Sequence, residues 1–397
     1  MADIKVQRFE VDVPVGISTQ TINAVISLSN AFVRVINSTI KHSAGQIGST
    51  TSTTMTPNVV GVSAQLRDIT TIEFNRNAEF GVGGDAKVFV EVWEYTGAVG
   101  GAYEFVVRQR GNLTLNDLDT EATAAVAGMI NRNDCIPFYQ GYVTNLDNGS
   151  FYVSATLGVH INSSNQISMA RGLGRNSYFV TGYYAVVQFT GSAWTVHHAS
   201  DANHDTMGTA GLQLKLTSNS DGIGTPFTSL TSWGSTIIAD SSMVGDVGGE
   251  SGIADCQLIV EPDATTSGVY IRFADNSARN DSRAYVHLLE CDDLVVNRFL
   301  NSNLQEGNNT FGTPITVAGA NPATPLYELG LEWFVSTTGT GTAWARGSLG
   351  AWITGYQTVN HWVHRNGNNV YVSGGIIDFS ALVDTPAPTR NRIFLIA

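Results

Sequence analysis

In three stretches of the chain, apolar side chains occur on both faces of what would be an extended strand. The stretches are DAKVFVEVWEY (85–95), GYYAVVQF (182–189) and AYVHLLEC (284–291). In the first stretch Val88, Val90 and Val92 share one face of an extended chain, and Phe89 and Trp93 share the other. A strand that is apolar on both faces is buried on both sides, or is buried on one side and forms an interface with the other. The pattern therefore predicts β-strands with two covered faces.

The three stretches belong to a longer repeat. Each follows a matching segment, VSAQL (62–66), VSATL (153–157) or IADCQL (253–258), and then a strand that carries an arginine. Near the end of the last strand, Glu94, Gln188 and Glu290 occupy one equivalent place. The repetition predicts three divergent copies of one all-β unit of about a hundred residues.

The repeated arginines are Arg76, Arg171 and Arg272. They form either a repeated functional site or a structural contact, at a sheet edge or a turn, that was retained when the unit was duplicated. An ion pair with the aligned glutamate is one form of such a contact. Repetition of a charged residue is not by itself a sign of reactivity. The structural contact is therefore the favoured interpretation.

Glycine-rich or polar joints near residues 98, 200 and 298 divide the chain into four β modules, at 1–98, 99–200, 201–297 and 298–397. The last module follows a different pattern from the first three. The predicted fold class is all-β, with about four tandem β-sandwich-like modules, of which the first three are divergent copies of one unit. Sandwiches joined by short connections are expected to form a rod or a clasp.

Composition and charge narrow the function. Charged residues make up only 14% of the chain and the net charge is −13, so we expect neither nucleic-acid binding nor membrane insertion. The N-terminus lacks the pattern of a signal peptide, which favours assembly in a cytoplasm. The cysteines, Cys135, Cys256 and Cys291, are expected to be reduced and buried, although a pairing of Cys256 with Cys291 stays open.

One polar segment contains ligand types that metals use. HHASDANHD (197–205) offers His197, Asp201, His204 and Asp205, but it lacks the spacing of a helical site. A solvated loop between modules is the favoured interpretation. The GDSGG-like segment VGDVGGESG has Val247 in place of a nucleophile, which removes the chemistry. With no cofactor motif in the sequence, we predict no cofactor and no catalytic residue.

A hairpin is predicted in HWVHRNGNNVYVSGGIID (361–378), with Asn366-Gly367 as its two-residue turn. This turn pairs Trp362 with Tyr371 and places His364 on the same face, whereas His361 lies on the opposite face. The two histidines therefore cannot bind one metal ion. The face of Trp362, Tyr371 and His364 is core, subunit interface or a sugar-binding platform, in that order of preference.

The same hairpin resembles a module near the C-terminus of tailed-bacteriophage fibre and other virion proteins. Its W-x-x-R-x-G-N-x-V-x-V-S-G pattern runs from Trp362 to Gly374, and the closing strand RIFLIA (392–397) is similar to the usual ending. The resemblance implies a non-enzymatic virion component exposed on the particle, commonly a homotrimer. It further implies other virion proteins as partners, and Trp362, Tyr371 and His364 as candidate contacts to host glycan.

The sequence thus predicts a surface fibre, spike or tail component, assembled in the host cytoplasm, with the N-terminal module as the anchor to the particle. A capsid decoration protein that stabilises the head is the first alternative. A glycan depolymerase and a free lectin are the two further alternatives. The depolymerase would release reducing ends from host polysaccharide, and the lectin would bind glycan as purified protein.

Overall fold

The computed structural model confirms the all-β prediction, since antiparallel strands dominate its described residues and its helices are single short turns. It describes residues 3–40, 57–77, 86–147, 152–201, 214–216, 230–244, 258–262, 266–273, 283–293, 296–304, 315–316, 326–332, 351–353, 357–366, 369–378 and 389–396. All statements below concern these residues.

The first unit contains six strands in two antiparallel sheets. The strands are β1 (Ile4–Val13), β2 (Gly16–Thr21), β3 (Ala31–Ile40), β4 (Ser63–Asp68), β5 (Thr71–Arg76) and β6 (Ala86–Tyr95). One sheet has the order β1-β6-β3, and the other has the order β2-β5-β4. The first, last and third strands thus form one sheet, and the remaining three form the second.

The next two units repeat this order. The second unit consists of β7 (Phe105–Asn116), β8 (Glu121–Ala125), β9 (Cys135–Thr144), β10 (Gly158–Ile161), β11 (Gln166–Ala170) and β12 (Phe179–Phe189). The third consists of β13 (Thr195–Asp201), β14 (Leu214–Leu216), β15 (Thr236–Val244), β16 (Leu258–Pro262), β17 (Val269–Phe273) and β18 (Arg283–Glu290). Their sheets are β7-β12-β9 with β8-β11-β10, and β13-β18-β15 with β14-β17-β16. Strand β9 also pairs with β4 of the first unit, through Gly141 and Ser63, so that β2-β5-β4-β9-β12-β7 is one six-stranded sheet.

The last hundred residues also follow this order, which corrects the expectation of a different pattern. Their strands are β19 (Val296–Leu304), β20 (Ile315–Thr316), β21 (Leu326–Glu332), β22 (Ala351–Ile353), β23 (Gln357–Asn366), β24 (Asn369–Asp378) and β25 (Thr389–Ile396). The sheets are β19-β25-β21 and β20-β24-β23-β22, so β22 is an addition at one edge. Strands β21 and β23 lie close to β3 of the first unit.

Short helical segments mark the same places in successive units. Helices α1 (Pro57–Val60) and α2 (Tyr152–Ala155) precede β4 and β10, so VSATL is not a strand and β10, rather than VSATL, is the counterpart of β4. Three 3₁₀ turns precede β3, β9 and β15, at Leu28–Asn30, Arg132–Asp134 and Trp233–Ser235. Ser27, Asn131 and Ser232 cap these turns with their side-chain oxygens.

Strand order places the divisions between units at 96–104, 190–194 and 291–295. The predicted division at 98/99 falls in the first of these connections. The predicted division at 200/201 falls within β13, and the one at 297/298 falls within β19. The polar appearance of HHASDANHD is the reason for the displacement at 200/201, because its first residues form a buried strand rather than a joint.

Both faces of the last strand in each of the first three units are buried, as the sequence predicts. In β6, Val88, Val90 and Val92 pack in the core of the first sandwich. On the opposite face, Trp93 belongs to a second cluster that joins residues of all three units. We call this cluster the shared centre; it includes Phe32, Trp93, Phe105, Phe138, Phe189, Trp194, Val196, Ile237 and Leu289. The expectation of a rod is therefore wrong for these units, because the outer faces of their sheets cover one another.

Candidate functional site

The most polar buried part of the described chain lies where the third unit meets the second. In the sheet β13-β18-β15, His198 pairs with His287, and His287 pairs in turn with Asp240. Cross-strand partners share a face of a sheet. The three side chains therefore form one row, which we call the histidine row, on the face that meets β9, β10 and the Arg132–Asp134 turn.

Hydrogen bonds fix the protons within this row. His198 Nε2 lies 3.0 Å from the carbonyl oxygen of Asn133, which can only accept, so this nitrogen carries a proton and donates. His198 Nδ1 is then the acceptor for His287 Nδ1, which lies 2.8 Å away. This assignment leaves His287 Nε2 without a proton. Both rings are neutral in this arrangement.

Burial keeps the two rings neutral. Both side chains are almost completely covered, with 4% of His198 and 3% of His287 exposed. Desolvation lowers the pKa of His198 from 6.5 to about 4, an effect that the Asn133 carbonyl opposes and that His197 and Arg132 reinforce. Desolvation also places the pKa of His287 well below its ordinary value; His198 and His160 lower it further, and a hydrogen bond with the backbone of Val159 opposes this shift.

Further polar and aromatic contacts join the second unit to the third at this junction. Asp240 Oδ2 accepts a hydrogen bond of 3.2 Å from the backbone amide of Tyr139 in the second unit. The hydroxyl of Ser242 accepts from the amide of Val159 at 2.8 Å and lies 3.2 Å from its carbonyl oxygen, to which it donates. The ring of His160 stacks on Tyr285 with a centroid distance of 4.4 Å. These side chains link the second unit to the third.

His197 lies on the opposite side of β13 from His198, as expected for neighbouring residues in a strand. Its Nε2 is 3.1 Å from Glu290 Oε2, and both side chains are buried. The other carboxylate oxygen of Glu290 accepts from the backbone amides of Thr231 and Ser232. The interpretation of His197 and His198 as part of a solvated loop is therefore wrong, since both are buried in a sheet.

The candidate metal ligands are not brought together within the described residues. His197 and Asp201 lie in β13, whereas His204 and Asp205 fall outside the described residues. Among the residues that the structure does describe, no three histidine, cysteine or acidic side chains form a group that could hold a metal ion.

The candidate glycan contacts lie on two strands whose backbones are described. His364 pairs with Tyr371, and Trp362 pairs with Ser373. The closing pair is Asn366 with Asn369, so the predicted Asn366-Gly367 turn is displaced along the chain. Each predicted partner moves by two residues, which keeps positions 362, 364 and 371 on one side of the ribbon because the period of a strand is two. The side chains themselves fall outside the described part of the chain.

The repeated arginines contact turns. Arg76 Nη1 donates to the carbonyl of Val13 at 3.3 Å. Arg171 donates to the carbonyls of Asp117 and Asp119, each at 2.7 Å. Desolvation lowers the pKa of Arg171 to about 10, so the side chain stays cationic at neutral pH. These bonds hold the connection between the first two strands of a unit, and the side chain of Arg272 lies outside the described residues.

A further arginine, Arg34, links the first unit to the third. Arg34 Nε and Nη2 donate to the carbonyls of Ala239 and Ile238 in the third unit, at 3.1 and 2.9 Å. Its Nη1 lies 3.7 Å from Glu91, which also accepts a hydrogen bond of 3.0 Å from the indole of Trp93. The alternation AFVRVI places an arginine in an apolar strand, which hints at a buried partner but does not identify it.

No comparison identifies a relative: no family model, no curated protein and no solved structure matches this chain. Within its described residues, none of the helices has the length and apolar character needed to cross a bilayer.

Proposed function

We propose that the protein is a non-enzymatic structural component of a bacteriophage particle. The observation that carries the proposal is the shared centre, which joins residues of three units, from Ile4 to Cys291, in one apolar cluster. Burial of this kind resists separation of the units, because apolar surface would be returned to water. A mechanical role in an assembly is consistent with such a block, and the resemblance of the C-terminal hairpin to virion modules supplies the particular class.

We assign the protein to the surface of the particle, as a fibre, spike or tail component that forms a homo-oligomer. Trp362, Tyr371 and His364 are its candidate contacts to host glycan. Alanine at both Trp362 and Tyr371 should reduce adsorption of particles to host cells while particle assembly continues. Unchanged adsorption would remove the glycan contact from the proposal.

The capsid decoration role is a second candidate, and one observation favours it. Units packed around a shared centre give a compact block, and a block covers a capsid lattice more readily than it forms a long shaft. Loss of a decoration protein should lower the thermal stability of heads while adsorption persists.

Quantitative mass spectrometry of purified particles tests both roles. A copy number of a few to a few dozen is expected for a fibre, spike or tail component. A copy number in the hundreds indicates decoration, and absence of the protein from purified particles contradicts the virion proposal altogether. Size-exclusion chromatography with light scattering on the isolated protein then determines whether it is a trimer.

A further inference from the structure

We call the contact between the first and second units the first junction, and the contact between the second and third units the second junction. The two junctions use equivalent repeat positions that hold different side chains. Ala185 in β12 and His287 in β18 each stand three residues before the repeated Gln188 or Glu290. Their cross-strand partners are Arg110 and His198. The position that holds an arginine next to a small residue in the second unit therefore holds two facing histidines in the third.

Both partners contact the unit before their own. Arg110 Nη2 donates to the carbonyls of Leu28 and Ala31, at the 3₁₀ turn and the following strand of the first unit. His198 donates to Asn133, in the corresponding turn of the second unit. Desolvation lowers the pKa of Arg110 to about 10, so it is a cation throughout the physiological range. The Arg110 link therefore keeps its protons at neutral and at acidic pH, whereas a histidine is able to gain a proton in acid.

The hydrogen bond between His198 Nδ1 and His287 Nδ1 accommodates a single proton. The 2.8 Å contact between the two Nδ1 atoms needs a lone pair on one ring, and protonation of both rings would set two N–H groups against each other. A cation in this position would also be buried. Arg132 and His197 lie near His198, and His160 lies near His287; their electrostatic effect disfavours a positive charge on the pair. Asp240 is the carboxylate of the row, and it accepts the Tyr139 amide of the second unit.

We propose that the His198–His287 pair is an acid-sensitive latch: mild acid opens the contact between the third unit and the second, while the first junction stays closed. The latch does not depend on the protein's belonging to a virion. Arg110 is the counterpart at the first junction that does not respond to pH.

The direction of the effect follows from linkage. A histidine whose pKa is lowered by folding binds its proton more readily in the open state, so the closed state is favoured above the ordinary pKa and loses stability as pH falls below it. For His198 the ordinary value is 6.5 and the value in the closed junction is about 4. Between about pH 7.5 and about pH 5 the opening equilibrium should rise roughly thirtyfold from this group alone.

Hydrogen exchange of the full-length protein tests the latch. Amide protection at 131–134 and 158–161 reports on the second junction, and protection at 28–33 and 61–66 reports on the first. After correction for the intrinsic pH dependence of exchange, we expect the second junction to lose protection roughly thirtyfold more than the first between about pH 7.5 and about pH 5. Equal loss at both junctions would overturn the proposal, and this comparison needs no variant.

Two single substitutions, measured separately, show whether the histidines are responsible. His287→Asn keeps a donor near the position of Nδ1, and His198→Gln keeps one near the position of Nε2; neither new side chain titrates. Each should flatten the acid response of the second junction. His197→Gln is the matched control, because His197 faces Glu290 on the other side of the strand, and the acid response should persist in it. A full response in both row variants would contradict the latch.

Discussion

Arg110 and His198 occupy equivalent positions in the second and third units, and each donates a hydrogen bond to the 3₁₀ turn of the unit before it or to its immediate neighbourhood. The same position of the repeat thus contacts the same region of the preceding unit, but its side chain is arginine in one unit and histidine in the next. The backbone carbonyl that accepts the bond places no demand on side-chain type beyond a donor, so arginine and histidine both satisfy it. The consequence is a pair of junctions with the same geometry and different sensitivity to pH.

The free energy of unfolding should report the same histidines. His198 stabilises the folded state fully above pH 6.5, and this contribution is lost as pH falls toward its folded pKa of about 4. The loss for this group should be about 2 kcal/mol between about pH 7 and about pH 5. Urea denaturation of wild type and His198→Gln, compared at both pH values, isolates this contribution from the other titrating groups. A variant as pH-dependent as the wild type would contradict it.

Arg34 should be essential to the contact between the first and third units. Arg34→Ala removes two donors from backbone carbonyls and leaves the Glu91 carboxylate, which is 1% exposed, without this cation. Loss of one partner of a buried pair typically costs about 3–5 kcal/mol. Chemical denaturation measures the change.

The matched control is Arg67→Ala. Arg67 lies 3.3 Å from Asp68, and their side chains are 52% and 42% exposed. An exposed pair contributes at most about 1 kcal/mol. If both substitutions had equally small effects, the buried link assigned to Arg34 would be incorrect.

Gly141 should tolerate no side chain. Its φ is +89°, and a Cβ would lie 1.9 Å from the carbonyl oxygen of Val62 in the neighbouring unit. Gly100 is the control, with φ of +78° and open space around the same position. Alanine at position 100 should cost about 1–2 kcal/mol from backbone conformation alone. Alanine at position 141 should cost clearly more, as the shift in thermal midpoint would show; equal shifts would contradict the close approach.

Cys135 should be unreactive in the folded protein. Burial raises the pKa of its thiol to about 12, and only the thiolate is the nucleophile. Iodoacetamide at about pH 8 should therefore label Cys135 only after denaturation, with labelling assigned by peptide mass spectrometry. Rapid labelling of Cys135 in the native protein would show that this strand is more exposed than described.

The alternation of side chains predicts the main feature of the fold. A strand with two covered faces follows from the positions of Val88, Val90 and Val92 on one face and Trp93 on the other, because side chains alternate between the two faces of a strand. What covers the second face depends on contacts between residues far apart in the chain, which no local pattern encodes. The prediction of a solvated loop for HHASDANHD was wrong for the same reason. The sequence does not distinguish a histidine that is hydrogen-bonded to a distant carbonyl from one that is exposed to water. The hairpin at Asn366 shows a smaller error, since two turns with glycine or asparagine compete and differ in register but not in face.

The most direct measurement of the central claim, that successive units share one buried centre, is a double-mutant cycle across the first two units. Phe32 of the first unit and Phe138 of the second have ring centroids 4.5 Å apart. Each alanine substitution should cost about 3–5 kcal/mol, and the pair should show a coupling energy of about 0.5–1.5 kcal/mol with a single unfolding transition. Additive effects, with the units unfolding in separate transitions, would contradict the claim.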